Sequence, residues 1–385
     1  MSEVGSQVTL LAFPTLAIVQ FHAGVAAVSV LVAAERVPFP VLSLVAGGLI
    51  DRMRKRPLMV ACNLARLVLL AAIPALSFAG ALRLWELFAA SAGVGVFTVF
   101  FDIAYLAYVP SLVGRDRLLQ ANSRLQVSDS AAQLAGPGLG GLLIQAVSAT
   151  RAVLVDATSF LVSAICLLAI RRSEVAPASG SKRSLVRETR EGLRHVFGNT
   201  VLRSQLLCMG AGGIFASAFQ GPLYIFAYVQ LHLSPGLLGA MLASQGIGAL
   251  LGTFGASPIV GRLGVGPTIA LLDGTAIGLS GLIALGTVIP PVLLFFPCFV
   301  LIGFTGAVGN IAQVTLRQSL SPEHLQARMN AVFRTVFWGA WPLGNVLGGV
   351  VAARIGAGTT IWVMAVLGAL ANTSIVFTPL WRVRT

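Results

Sequence analysis

Charge is scarce in this chain. Asp, Glu, Lys and Arg make up 10% of its 385 residues, against 56% hydrophobic residues, and the mean hydropathy is +0.88. A water-soluble domain carries about 25% charge. A surface this poor in charge cannot face water all round, so lipid is expected as its solvent. Acid is scarcer still: 13 Asp and Glu oppose 26 Lys and Arg, for a net charge of +13. The bases do not gather on one face with interleaved aromatics. They sit in short loops and one central segment, so nucleic acid is not an expected partner. Cysteine is rare as well. Cys62, Cys166, Cys208 and Cys298 all fall in apolar runs without metal-site spacing, and they read as small packing residues. No metal or other cofactor is expected. H-E-x-x-H, G-x-S-x-G and P-loop motifs are missing, and His22, His195, His232 and His324 stand alone in or near loops. An enzyme is therefore not expected, and without a nucleotide site an ion gradient is the expected energy source. The first apolar run lacks a preceding basic region and a following small-residue cleavage site, so a removable leader is not expected either.

What the chain has is a series of long apolar runs. Crossing a hydrocarbon core of roughly 30 Å takes about 20 residues of helix. Only helices and closed barrels satisfy the backbone there. These runs are too long for barrel strands and do not alternate, so the expected fold is all-α. The 42 glycines fit spanning helices. Twelve spans are predicted, at about 5–22, 28–50, 58–79, 85–109, 121–146, 151–170, 203–228, 236–257, 267–287, 290–313, 328–351 and 359–380. Residues 1–170 then form one six-helix bundle, 171–202 a linker, and 203–385 a second six-helix bundle.

The charge census orients the chain. Arg83, Arg151 and Arg354 fall on one side and Arg36 and Arg66 within spans, while the other 21 of 26 bases lie at the opposite face. The biased face is expected to be cytoplasmic, with both termini inside, in the inner (plasma) membrane. In the linker, Leu185, Val186, Leu193, Val196 and Phe197 interleave with Arg187, Arg190 and Arg194. That pattern suits a basic amphipathic helix on an anionic inner leaflet. Calmodulin-like partner binding is the sharper alternative.

The chain also repeats itself. Ser111–Asn122 (SLVGRDRLLQAN) resembles Ser319–Asn330 (SLSPEHLQARMN) at an offset of 208. The same offset carries Gly136, Leu139, Gly140 and Gly141 onto Gly344, Leu347, Gly348 and Gly349.

Three stretches carry a resemblance to a known family. The run Gly47-Gly48-Leu49-Ile50-Asp51-Arg52-Met53-Arg54-Lys55-Arg56 resembles the loop between spans 2 and 3 of the major facilitator superfamily. Gly136-Pro137-x-x-Gly140-Gly141 resembles the span 5 antiporter motif of its drug exporters. FFDIAYLAYVPSLV (100–113) and LVDATSFLVSA (154–164) are similar to its macrolide-efflux and enterobactin-exporter-like branch. Arg54 stands where the loop motif usually has glycine, and Ala132 where the fuller span 5 motif has its earlier glycine. Span 4 lacks the embedded arginine of many proton-coupled members, so their proton relay does not carry over directly. The resemblance implies two parallel six-span halves about a midplane cavity. It also implies more helix before Gly5-Ser6-Gln7 than the seventeen residues from Gly5 to Phe21 supply, so that the start codon is placed too late or the product is truncated.

Ionisable groups inside spans cost about 2.5–3.5 kcal/mol or more near the bilayer centre, which makes them functional pointers. Glu35 in span 2 is a candidate to load a proton from outside. The competing reading neutralises it by Arg36 or another base. Asp102 in span 4 is the second proton-coupling candidate, against a role as a hydrogen-bonded anchor beside Tyr105. Asp129, Asp156 and Asp273 read as structural, with Arg124 and Arg262 near the first and last of them. The resemblance implies that Asp51 docks near the start of span 11, around Arg328 to Arg334, as part of a conformational gate with Gly47, Arg52, Arg54, Lys55, Arg56 and Arg66. In GPGLGG, Pro137 bends the helix, and the small-xxx-small step from Gly136 to Gly140 allows close helix approach. The resemblance adds a seal against leakage between the halves, built with Gly141. It places spans 1, 4, 7 and 10 around the cavity, which makes Phe97, Phe101, Tyr105, Phe219, Tyr224 and Phe304 candidate lining residues.

Together these features imply a monomeric exporter of a hydrophobic or amphipathic small molecule, exchanging it for protons among membrane lipids by rocker-switch alternating access. A proton-independent facilitator or lipid flippase, and a non-transporting sensor or remnant, are the alternatives.

Overall fold

The structure, a computed structural model, describes residues 2–50, 53–113, 118–170 and 185–383. Among them there are helices and turns but no strand. Eleven helical segments among the described residues are long and apolar enough to cross a membrane. A twelfth helix, Leu118–Val147, has the length at 30 residues but opens on a polar stretch around Gln120, Ser128 and Asp129.

Elements follow in chain order. In the first half lie α1 (Ser2–Val19), α2 (Val25–Arg36), α3 (Pro38–Ile50), α4 (Lys55–Phe78), α5 (Leu84–Val113), α6 (Leu118–Val147) and α7 (Ala149–Ala169). The linker forms α8 (Leu185–Gly198). The second half has α9 (Thr200–Ala218), α10 (Gln220–Ile225) with a π-helical turn at Phe226–Gln230, α11 (Pro235–Leu263), α12 (Val265–Leu282), α13 (Pro291–Leu320), α14 (Glu323–Ile355) and α15 (Ala357–Thr373).

Three spans depart from the sequence expectation; the seventh, expected as one helix over 203–228, is interrupted at Phe219 between α9 and α10 and closes on the π-helical turn. The second is not one helix over 28–50. It breaks at Val37 into α2 and α3, because Pro38 has no N–H to continue the ladder and disfavours α conformation in the residue before it. The first begins at Ser2 and ends at Val19, three residues before the expected end. There the chain turns through His22 in the left-handed region, at φ 52°.

The chain divides into two compact units. One contains Met1–Ala23, Ala34–Lys182 and Ser234–Ala243; the other contains Gly24–Ala33, Arg183–Leu233 and Ser244–Thr385. Each thus includes a ten-residue segment from the other half of the sequence, which opens α2 in one case and α11 in the other. In the first unit α4 packs on α5 and α7, and α1 packs on α6 and α7. In the second, α12 packs on α13 and α15, and α14 on α9.

Backbone conformation repeats along with sequence. Ser148, between α6 and α7, has φ 83° and ψ 157°. Gly356, between α14 and α15, has φ 86° and ψ 157°. They lie 208 positions apart, the offset of the sequence repeat.

Candidate functional site

In the first unit, polar groups meet between apolar helices. Arg66 of α4 is only 4% exposed. Its Nη2 donates to Asn63 Oδ1 at 2.6 Å and its Nη1 to Thr98 Oγ1 at 3.4 Å. The guanidinium lies between two phenyl faces, 4.5 Å from the ring centre of Phe101 and 4.3 Å from that of Phe160. A planar delocalised cation suits such a sandwich. Its Nε finds no hydrogen-bond acceptor among the described residues. Asn63 in turn donates through Nδ2 to Ser163 Oγ of α7 at 2.9 Å. Asp102, Asp156 and Glu3 lie close enough to act on Arg66 electrostatically, so one buried base sits amid several acids.

Asp156 of α7 is 1% exposed. Its Oδ2 accepts from Thr9 Oγ1 of α1 at 2.5 Å, and its Oδ1 from Ser159 Oγ at 3.2 Å. Gly5 lies against the same carboxylate, where a Cβ would collide with it. The structural reading of Asp156 thus acquires a partner on α1 that spacing alone did not reveal. Glu3 sits within α1, two residues before the sequence-based start of that span, and is a further acid that the sequence reading missed. Asp129 is among the charges acting on it.

The proton-coupling candidates occupy the same unit. Glu35 is the penultimate residue of α2, two residues before the Val37 break. Its backbone carbonyl lies against Gly95 of α5, and its half-buried carboxylate makes no hydrogen bond or ion pair among the described residues. Asp102 is half-buried on α5, and the rings of Phe101 and Tyr105 beside it stack at 6.2 Å.

Of the gate residues, Asp51 and Arg52 lie outside the described residues, and Gly47 is placed only as backbone within α3. Arg54 precedes α4 without a side-chain capping bond, Lys55 opens that helix, and Arg56 reaches α7, donating from Nε to Leu167 O at 2.8 Å and from Nη2 to Leu168 O at 2.5 Å. These are carbonyls of the last turn, where a cation is favourable. Arg66 lies well inside α4, away from that loop.

The glycine motifs dock helices in matching ways. Gly136 and Gly140 of α6 lie on Gln7 and Val8 of α1; Gly344 and Gly348 of α14 lie on Ile214 and Ala218 of α9. Gly141 meets Pro235 and Gly239 of α11; Gly349 meets Ala26 and Ser29 of α2. At both places a Cβ would enter the neighbouring helix, so glycine is required for the approach.

In the second unit, Asp273 of α12 accepts from Gln313 Nε2 of α13 at 2.6 Å and meets no base among the described residues. Arg262, its expected neighbour in sequence, is exposed. Gln205 of α9, 1% exposed, donates to the Gln313 carbonyl at 3.1 Å. Among the lining candidates, Phe97, Phe101, Tyr105, Phe219 and Phe304 are half-buried, while Tyr224 is 6% exposed and packed. Phe304 lies on the glycines of α11, Gly248, Gly252 and Gly255. An aromatic group on α14 went unread in the sequence: Phe337 and Trp338 rings lie 5.5 Å apart, Trp341 lies 5.5 Å from Phe337, and Trp341 Nε1 donates to Gln220 Oε1 at 3.1 Å. Its i, i+1, i+4 spacing was the available signal, masked by the apolar background.

Comparison with known proteins places this geometry. The sequence profile described as Major Facilitator Superfamily matches residues 1–344. The multidrug efflux pump Tap of Mycolicibacterium fortuitum is 27% identical over 98% of this chain and 93% of that protein. The enterobactin exporter EntS of Salmonella paratyphi A is 27% identical over 71% of this chain and 61% of the exporter. A bacterial homologue of the iron transporter ferroportin, solved in an inward-facing state, shares the fold at a TM-score of 0.74 with 16% identity, covering 98% of this chain and 95% of that one.

Proposed function

We propose, from the premise that this chain belongs to the major facilitator superfamily, that it exports a hydrophobic or amphipathic small molecule in exchange for protons. It is a multi-pass membrane transporter and not an enzyme. Efflux as its direction draws on the Tap and EntS likeness, which extends over most of the chain.

The observation that carries proton exchange is the group of acids about a single buried base, Arg66, within apolar helices. A membrane-embedded charge is costly unless paired. Glu35, lacking a partner among the described residues, is suited to gain a proton from one side of the membrane and lose it to the other. Asp102, in reach of Arg66, is suited to exchange its proton when substrate or base approaches. On α5 the half-buried aromatics Phe97, Phe101 and Tyr105 offer a greasy contact with few polar groups, which fits bulky amphipathic cargo. The cytoplasmic placement of both termini, the inner membrane, the monomeric state and the two six-helix halves are part of the same proposal.

Energised vesicles loaded with a panel of amphipathic compounds test the reading. Export that collapses on adding a protonophore is the expected result. Export that persists unchanged would assign the chain to facilitated transport instead.

A further inference from the structure

The linker helix α8 has two faces with different fates. One is docked. Gly192 lies on the backbone of Arg328, where a Cβ would come within 2.9 Å of its carbonyl oxygen. Glu191 pairs with Arg328 Nη1. His195 Nε2 and Ser321 Oγ are 3.0 Å apart. Val196, fully buried, packs with Leu202, Leu206, Met329, Val332 and Phe333. The other face is bare. Arg190, Leu193, Arg194 and Phe197 are exposed, at 39% for Leu193 and 48% for Phe197. Their i, i+3, i+4, i+7 spacing lines them along one stripe. Neither arginine has a hydrogen-bond or ionic partner among the described residues.

The level of this stripe follows from its neighbours. Asn199 ends the turn after α8 and caps α9, its side chain accepting from Val201 N and Leu202 N. The apolar span begins there, at Thr200, and the span of α14 begins at Arg328, the residue that α8 grips. The helix is therefore held beside the starts of two apolar spans, the level at which lipid headgroups are expected. A stripe of two guanidinium groups and two apolar side chains at that depth complements phosphate above and acyl chain below.

We propose that this outer stripe of α8 binds anionic phospholipid headgroups, with Arg190 and Arg194 on the phosphates and Leu193 and Phe197 inserted beside them. The docked face makes α8 a rigid bracket on α14, so lipid binding bears on that helix. Lipid binding by this stripe does not depend on which substrate is carried.

Hydrogen exchange of the α8 amides in the full-length protein tests it, in nanodiscs of phosphatidylglycerol and of phosphatidylcholine. Exchange should slow in phosphatidylglycerol by up to about 30-fold, two charges at about 1 kcal/mol each. Arg190→Gln with Arg194→Gln, which leaves the docked face intact, should erase the difference, and Phe197→Ser should reduce it. Equal exchange in the two lipids, or slowing that survives the double substitution, would overturn the proposal. So would equal slowing by inorganic phosphate added to phosphatidylcholine discs, which would assign the stripe to a free anion. Protection by an acidic peptide exceeding that by phosphatidylglycerol would assign it to a protein partner.

Discussion

Asp156 shows what a single side chain contributes here. Its carboxylate is out of water and held by the Thr9 and Ser159 hydroxyls, so it joins α1 to α7 through polar bonds inside an apolar bundle. Removing one partner leaves a buried acceptor short of a donor, which costs about 1–3 kcal/mol. Thr9→Val should therefore lower the thermal unfolding midpoint in detergent, and Thr9→Ser should restore most of it. An unchanged midpoint for Thr9→Val would mean that the bond adds nothing. At this scale the sequence was partly legible. The acids of the apolar runs stood out, because any charge there is conspicuous. Their partners did not, since Thr9 is 147 positions from Asp156 and hydroxyls are common in such helices. Arg66 was visible as a buried base, but its seat between Phe101 and Phe160 depends on three helices meeting.

Helices and their junctions obey rules of their own. Ser148 adopts the conformation that Gly356 adopts at the equivalent junction. That region is essentially restricted to glycine, and other residues there cost of order 1–3 kcal/mol. Ser148→Gly should raise the unfolding midpoint, while Gly356→Ser should lower it; a fall in the first would contradict the strain account. The close approach of α6 to α11 yields a second expectation. Gly141→Ala places a methyl group against Pro235 and Gly239, and overpacking of this kind costs typically 1–3 kcal/mol. Pulse proteolysis should show Gly141→Ala to be the less stable protein, and Leu139→Ala, on the exposed side of the same helix, to differ little. The glycine motif was legible from spacing alone. The break at Val37 was less so: Pro38 marked it, but proline is tolerated within spans such as α1, α4 and α13, so the residue type does not decide between a bend and a stop.

The internal repeat shows in sequence, in packing and in backbone conformation. One offset of 208 relates the glycines of α6 to those of α14, the helices they pack on, and the Ser148 and Gly356 junctions. Composition was enough to predict a membrane protein, and the length of its apolar runs and their lack of alternation to predict an all-α one. The substrate lining was not legible, because phenylalanines facing lipid, core or cavity look alike in sequence. The loop acid Asp51 is expected to matter for the cycle rather than for folding. Asp51→Asn should reduce export without lowering the unfolding midpoint, and equal losses in both would make it a structural residue.

Proton exchange is proposed to turn on Glu35 and Asp102. The most direct measurement is substrate-dependent proton movement in energised vesicles of the parent, Glu35→Gln and Asp102→Asn, at matched expression. The parent should release or take up protons when substrate is added, and at least one of the two variants should lose that signal by tenfold or more. Full proton-driven flux in both variants would contradict the assignment.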